Sequence, residues 1–207
     1  MAKVKVLVLG NDPQINQIDF DSLSPNIITL GINRIWLKYI PNYFFFHDLT
    51  ISDELIRQPE KLAKLKQNSI IFSSEWIRKG RSFSDTRFPV PTWTSVYPRK
   101  NKKHFPDSIT NSIELFRDVR NQQEQYVFYV AGVSLTWQEP SHFWKDENIA
   151  TRNTAGPEWY LPRFEAMLTN FKKLKTHNYE IISVTPNSKL NKLFRYENIG
   201  NLYKKSL

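Results

Sequence analysis

The sequence contains no cysteine and no long apolar run. The first absence excludes a disulfide scaffold, a thiol nucleophile and a cysteine-ligated metal site. The second excludes a membrane span, which needs roughly 18–20 apolar residues. An apolar pattern at residues 4–9 follows the first residues directly, and no signal-peptide pattern precedes it. We therefore expect a soluble, cytoplasmic protein.

Internal repeats and low-complexity linkers are also absent from the 207 residues. A chain of this length buries one sizeable core. A hydrophobic content of 40%, with 14% aromatic residues, is typical of a globular protein rather than a disordered one. We therefore predict a single domain over residues 1–207.

The net charge of +9 is unevenly distributed. Residues 56–104 hold twelve Lys and Arg against three Asp and Glu, and residues 172–207 hold eight against two. Residues 1–55 and 105–171 carry an acidic excess instead. Basic segments of this kind favour binding of a polyanion such as nucleic acid, although they also serve solubility alone.

Short β-prone apolar runs alternate with helical patterns along the chain. The runs lie at residues 4–9, 27–32, 43–46, 69–73, 126–133 and 179–184. The longer helical patterns lie at residues 52–67, broken near Pro59, and at 108–120 and 159–174. This alternation predicts an α/β fold, with a mostly parallel, Rossmann-like sheet flanked by helices. Residues 81–106, rich in proline and aromatic residues, are predicted to form a lid or insertion rather than a core element.

Small and polar residues follow the first three runs, where a parallel sheet binds its ligands. Gly10 and Asn11 follow the first run, Asn33 follows the second, and Asp48 follows the third. A glycine permits close backbone approach to a ligand, and asparagine can bond a phosphate or ribose. Asp48 can bind ribose, bind a metal or act as a base. Ordinary turns and a solvated aspartate are the alternative interpretation.

Two later positions suit the chemistry of a nucleotide site. Thr110, Asn111 and Ser112 begin a helix, where free N–H groups and the helix dipole favour a phosphate. The same cluster is also typical of a simple N-cap. His142 lies in an aromatic loop and is the preferred candidate for a general base. The alternative is a structural role for His142 among the aromatic side chains.

A basic run lies inside the predicted lid. We expect these residues to contact nucleic acid: Arg99, Lys100, Lys102, Lys103 and His104. The neighbouring aromatic cluster of Trp137, Phe143 and Trp144 could stack on an unpaired base.

In order and spacing, several of these segments together resemble the bacterial sialyltransferases that build lipooligosaccharide, and the related domains of motility-associated glycosylation proteins. The segments that carry the resemblance are 10–14, 18–19, 32–33, 110–112, 131–136, 141–143 and 185–190. The resemblance implies a variant GT-A-type fold, a cytidine-monophosphate (CMP) sugar donor and metal-independent transfer with a histidine base. It therefore implies no metal and no cofactor besides the nucleotide sugar.

The same resemblance implies roles for individual residues. Asn11, Asn33 and Asp48 would contact the nucleotide, Asn111 and Ser112 its phosphate or sugar, and Asn187 and Ser188 the cytosine side. The chain departs from the family at two places: Asp146 stands near the position of the family's catalytic histidine, and Thr136 with Trp137 replaces one of its paired tyrosines. The donor-site candidates are Gly10, Asn11, Asn33, Thr110, Asn111, Ser112, Thr136, Asn187 and Ser188, and the candidate bases are His142, Asp48 and Asp146.

We therefore expect a glycosyltransferase that moves a sugar from a nucleotide donor to a hydroxyl acceptor. The basic segments and the aromatic lid favour a hydroxymethylated base in DNA as the acceptor, as in phage DNA modification. The alternatives are a non-catalytic nucleic-acid-binding protein and a transferase that acts on a surface glycan.

Overall fold

A computed structural model describes residues 3–46, 49–74, 94–97, 107–138, 140, 142–143, 156–175 and 177–204. Its centre is a sheet of seven strands, all paired in parallel. In chain order the strands are β1 (Val4–Leu9), β2 (Ile28–Ile32), β3 (Tyr43–Phe45), β4 (Ile70–Ser74), β5 (Ser95–Tyr97), β6 (Tyr126–Ala131) and β7 (Glu180–Ser183). Their order across the sheet is β5-β4-β3-β2-β1-β6-β7.

Among the described residues, four α-helices accompany the sheet: α1 (Leu49–Ile56), α2 (Pro59–Asn68), α3 (Ser108–Val119) and α4 (Pro157–Leu174). In the same part of the chain, four short 3-10 helices follow or join the strands: Pro13–Gln17, Asn33–Leu37, Lys189–Lys192 and Ile199–Leu202. Within these elements, no helix is long and apolar enough to cross a bilayer.

The strands read as continuous apolar runs because both faces of the sheet are covered. Side chains alternate between two buried clusters, so Leu7 and Leu9 pack on one face while Val6 and Val8 pack on the other. Helices α1 and α2 contribute to the first cluster, and α3 and α4 to the second. All six residues of β6 are buried. The result is a three-layer α/β domain, which confirms the predicted fold class.

The predicted break near Pro59 is confirmed, because α1 ends at Ile56 and α2 begins at Pro59. The lid or insertion predicted over residues 81–106 contains one strand of the sheet. Within residues 81–106, Ser95–Tyr97 form strand β5, which pairs with β4 at the edge of the sheet. A run of three residues is too short to stand out from proline-rich surroundings by its pattern. Apart from residues 94–97, this segment lies outside the described residues.

Asp107 joins α3 to α4. It is the N-cap of α3, and its carboxylate accepts hydrogen bonds from the Thr110 N–H at 2.7 Å and from Asn170 Nδ2 of α4 at 2.6 Å. Burial raises the pKa of Asp107 above its ordinary value, and the hydrogen bonds from Thr110 and Asn170 oppose that shift. This side chain therefore fixes the beginning of α3 against the second helix of the same layer.

Asp107→Ala should lower the free energy of unfolding by about 2 kcal/mol, because the helix loses its cap and Asn170 loses a partner. A carboxyl whose pKa is raised by folding stabilises most below its unfolded pKa, and this contribution falls as the pH rises through the folded value. The loss should therefore be larger at pH 4 than at pH 8. Urea denaturation at both pH values measures it, with the exposed Asp21→Ala as control. An equal loss for both variants would contradict the prediction.

Candidate functional site

The strand order places a crevice between β1 and β6. From β1 the chain proceeds through β2, β3, β4 and β5 on one side, and returns at β6 on the other side of β1. The connections that follow β1 and β6 therefore lead to strands on opposite sides of the β1–β6 pair. In open α/β sheets ligands bind at this switch point, outside the carboxyl ends of the strands.

The loops after β1 and β6 cross in direct backbone contact. The Gly10 N–H donates to the Ala131 carbonyl at 2.9 Å, and the Asp12 N–H donates to the Gly132 carbonyl at 3.0 Å. A Cβ at Gly10 would lie 2.3 Å from the Gly132 oxygen, and Gly132 itself has φ of 66°. The close approach of the two loops therefore requires glycine at position 10. At position 132, both close approach and the positive φ require glycine.

Asp12 locks the crossing with its side chain. Its carboxylate accepts from the Gln14 N–H at 3.1 Å and from the Ser134 N–H at 3.3 Å. One oxygen thus caps the 3-10 helix after β1, and the other binds the loop after β6. The Asx cap fixes the backbone of Asn11 just outside the crevice.

Two buried amide oxygens lie at the ends of adjacent strands. Asn11 follows β1, and Asn33 follows β2, where it adopts φ of 53°. The Asn33 amide nitrogen donates to Ser108 Oγ at 3.2 Å, which links β2 to the beginning of α3. Neither Asn11 Oδ1 nor Asn33 Oδ1 has a hydrogen-bond partner among the residues that the structure describes. A buried acceptor of this kind needs an explanation, because most buried polar atoms in proteins are hydrogen-bonded.

The beginning of α3 faces Asn33, and its predicted donor residues are engaged locally. Thr110 Oγ1 donates to Asp107, Asn111 Nδ2 donates to the Asp107 carbonyl at 2.7 Å, and Ser112 Oγ donates to the Ile109 carbonyl at 2.7 Å. All three side chains are buried. Their role toward a donor stays a prediction, and Ser108 is the residue of this helix that the structure joins to Asn33.

The loop after β7 is fastened to the loop after β6. Ser188 Oγ donates to the Val133 carbonyl at 2.6 Å, and Asn187 adopts φ of 57°. Thr136 lies four residues beyond Gly132 in the same loop, and its N–H donates to Ser134 Oγ at 3.4 Å. The structure thus brings Thr136, Asn187 and Ser188 to the same edge of the sheet as Gly10 and Asn11.

Two glutamines at this edge were missed by the sequence interpretation. Gln14 Nε2 donates to the Pro186 carbonyl at 3.3 Å, which spans from the β1 loop to the β7 loop, and its Oε1 is buried without a partner among the described residues. Gln138 Nε2 is buried in the same way. Only the positions of these two glutamines in the sequence could have indicated them. Gln14 directly follows Pro13 in the loop after β1, and Gln138 follows Trp137 in the loop after β6.

His142 lies next to the crevice. The Phe143 N–H donates to the Asn11 carbonyl at 3.1 Å, and the His142 ring lies 5.6 Å from the ring of Tyr160 in α4. The other candidate bases, Asp48 and Asp146, lie outside the described residues, and so does the basic run from Arg99 to His104. Across the described part of the chain no group of three His, Asp or Glu could hold a metal ion, and metal independence stays a prediction.

No protein-family model matches this chain, and a comparison with curated protein sequences finds no match. Solved structures are similar to it in fold. CstII, a sialyltransferase from Campylobacter jejuni, superposes with a TM-score of 0.53 and 12% identity over 100% of this chain and 90% of that chain. A structure of monomeric CstII gives a TM-score of 0.56 and 14% identity over 98% of this chain and 89% of that chain.

The monofunctional α-2,3-sialyltransferase Cst-I from Campylobacter jejuni gives a TM-score of 0.54 and 12% identity over 99% of this chain and 83% of that chain. At this level of identity the similarity establishes the fold. It confirms the resemblance in fold to bacterial sialyltransferases over the whole chain.

Gly10→Ala should lower the free energy of unfolding by about 2 kcal/mol, because the added methyl meets a backbone oxygen that cannot move away. Gly200→Ala is the matched control, since its nearest neighbour is the Asn198 side-chain oxygen at 3.0 Å, which can shift. Urea denaturation measures both variants. A Gly10→Ala protein as stable as Gly200→Ala would show that the loops do not cross this closely.

Proposed function

We propose that this protein is a glycosyltransferase that binds a CMP-sugar across the carboxyl ends of β1, β2 and β6. The observation that carries the proposal is the pair of buried oxygens of Asn11 and Asn33 beside the switch point, which have no hydrogen-bond partner among the described residues. Both are acceptors, so they suit the hydroxyl groups of a ribose or the amino group of a base. The similar CstII structure is described as a complex with CMP, which fits a nucleotide at this edge.

The beginning of α3 supplies the positive end of a helix dipole next to Asn33. Phosphate groups are stabilised at such a position by backbone N–H groups and by the dipole. In our proposal the donor phosphate lies there, near Ser108 and the predicted residues Thr110, Asn111 and Ser112. This placement stabilises the negative charge that develops on the phosphate when the sugar leaves.

The transfer itself needs one base and one leaving group. The acceptor oxygen forms a bond to the anomeric carbon, the bond from that carbon to the phosphate oxygen breaks, and CMP leaves with the electron pair. The acceptor proton passes to the base. We propose His142 as this base because its neighbour Phe143 donates its N–H to the Asn11 carbonyl, and Asp48 and Asp146 are the alternatives. No step requires a metal ion.

For the acceptor we propose a hydroxymethylated base in DNA. The support is the excess of Lys and Arg in residues 56–104 and 172–207, together with aromatic side chains beside the crevice. A base acceptor must be unpaired before its hydroxyl can reach the donor, and aromatic side chains stabilise it in that state. A surface glycan is the alternative acceptor, and DNA binding without transfer is the alternative function.

CMP should raise the melting temperature, because a ligand that binds only the folded state stabilises it. Asn11→Ala and Asn33→Gly should each weaken CMP binding by about tenfold, the value of one hydrogen bond of roughly 1.4 kcal/mol. Glycine is chosen at Asn33 because it tolerates the positive φ. Thermal shift and calorimetry measure binding, with the exposed Asn201→Ala as control. The donor site is refuted if millimolar CMP, CMP-sugars, UDP and UDP-sugars all leave the melting temperature unchanged.

His142→Ala should reduce transfer by roughly 10²–10⁴-fold while CMP binding is kept, because removal of a general base has this cost. Asp48→Asn and Asp146→Asn are compared in the same assay, which contains excess EDTA. Turnover close to wild type in His142→Ala, together with loss in one aspartate variant, would assign the base to that carboxylate. Activity that returns only with added Mn²⁺ or Mg²⁺ would contradict metal independence.

A further inference from the structure

Four aromatic side chains and one arginine form a cluster at the beginning of α4. We name it the aromatic platform, and its members are Trp137, Trp159, Tyr160, Arg163 and Phe164. Tyr160 is its centre, with ring centroids 5.3 Å from Trp137, 4.8 Å from Trp159 and 5.8 Å from Phe164. The guanidinium carbon of Arg163 lies 3.3 Å from the centre of the Trp159 ring.

The platform is continuous with the crevice between β1 and β6. Trp137 belongs to the loop that follows β6, five residues beyond Gly132. The His142 ring lies 5.6 Å from Tyr160, and the next residue, Phe143, donates its N–H to the Asn11 carbonyl. Tyr160 therefore connects the platform to the candidate base, whose neighbour Phe143 contacts the loop after β1.

The platform is exposed at one end and buried at its centre. Trp159 is 45% exposed, whereas Tyr160 beneath it is 8% exposed. The indole is held by its edge-on contact with Tyr160, and Arg163 is held by a hydrogen bond of 2.7 Å to the Trp159 carbonyl. A large apolar ring that is both exposed and fixed can bind a flat ligand with little loss of side-chain entropy.

We propose that the aromatic platform is the acceptor site and that Trp159 stacks on an unpaired base of DNA, with Arg163 beside the adjoining phosphate. The inference rests on the proposed function, because it names the residues that would present the acceptor to the donor. Base–aromatic stacking accepts any base and is strengthened by a neighbouring arginine. The guanidinium on the indole can pair with a phosphate, which favours a nucleic acid over a neutral glycan as the occupant.

A second exposed aromatic side chain provides a matched control. Tyr196 is 42% exposed and also has an arginine near it in sequence, Arg195, but it lies beside β7, where it pairs with Ser183. Arg195 is engaged in ion pairs with Glu180 at 3.0 Å and Glu197 at 2.8 Å. Tyr196 therefore matches Trp159 in exposure and differs in its position on the sheet.

The test is a fluorescence-anisotropy titration of the full chain with a labelled single-stranded oligothymidylate of about 12 nucleotides, within the span that single-strand sites cover. We expect Trp159→Ala to weaken binding by about tenfold and Trp159→Phe to keep it within about threefold, since a phenyl ring still stacks. Tyr196→Ala should bind as wild type. Arg163→Ala should reduce the slope of log affinity against log salt by about 0.7, the value of one phosphate contact to a single strand.

Donor binding separates this proposal from the function on which it rests. All of these variants should keep the CMP-induced thermal shift of the wild type, which also shows that they are folded. Oligonucleotide binding that is equal in Trp159→Ala and Tyr196→Ala would overturn the platform, even where CMP still binds. The proposal would also be overturned if Trp159→Ala lowered the affinity for a neutral trisaccharide while leaving oligonucleotide binding unchanged. A chain that binds the oligonucleotide through Trp159 but shows no CMP shift would refute the donor site and keep the platform.

Discussion

The backbone contact between Gly10 and Gly132 is the constraint on which the rest of the site depends. Two loops that leave neighbouring parallel strands would normally be kept apart by their side chains, and here the Gly132 oxygen occupies the space of a Cβ at Gly10. This approach allows Asp12 to bind both loops and sets Asn11 at the margin of the crevice. The β7 loop joins the arrangement through Ser188 and Val133. Three strand ends thus form one rigid edge, on which a ligand meets groups that are already in position.

The architecture could be predicted from the sequence because the strands are buried on both faces. Continuous apolar runs such as Tyr126–Ala131 leave little choice of secondary structure, and helical patterns between them require parallel connections. Strand β5 could not be found in this way. Its three residues carry no periodicity, and its place at the edge depends on pairing with β4 rather than on its own composition. Short edge strands are defined by their neighbour.

The sequence predicts which edge of the sheet forms the candidate site, but it does not predict which atoms contact one another there. Strand ends identify Gly10, Asn11 and Asn33, because parallel strands present their carboxyl ends at one edge. The sequence does not show which polar atoms are already satisfied. Thr110 and Ser112 are engaged by the first turn of their own helix, whereas Asn33 reaches Ser108 and keeps one oxygen unpartnered among the described residues. That distinction depends on the rotation of α3 against β2, which is set by packing beneath both elements.

The strand order also has a consequence for synthesis of the chain. Strand β1 pairs with β2 within about thirty residues, but its other edge pairs with β6, where Val4 lies opposite Tyr126. Until that partner leaves the ribosome, the nascent chain carries an open strand edge at the centre of its future sheet. At a synthesis rate of roughly 10 residues per second this exposure lasts about ten seconds. An open apolar edge is a template for pairing between chains, so the interval is a window for aggregation that the finished fold closes.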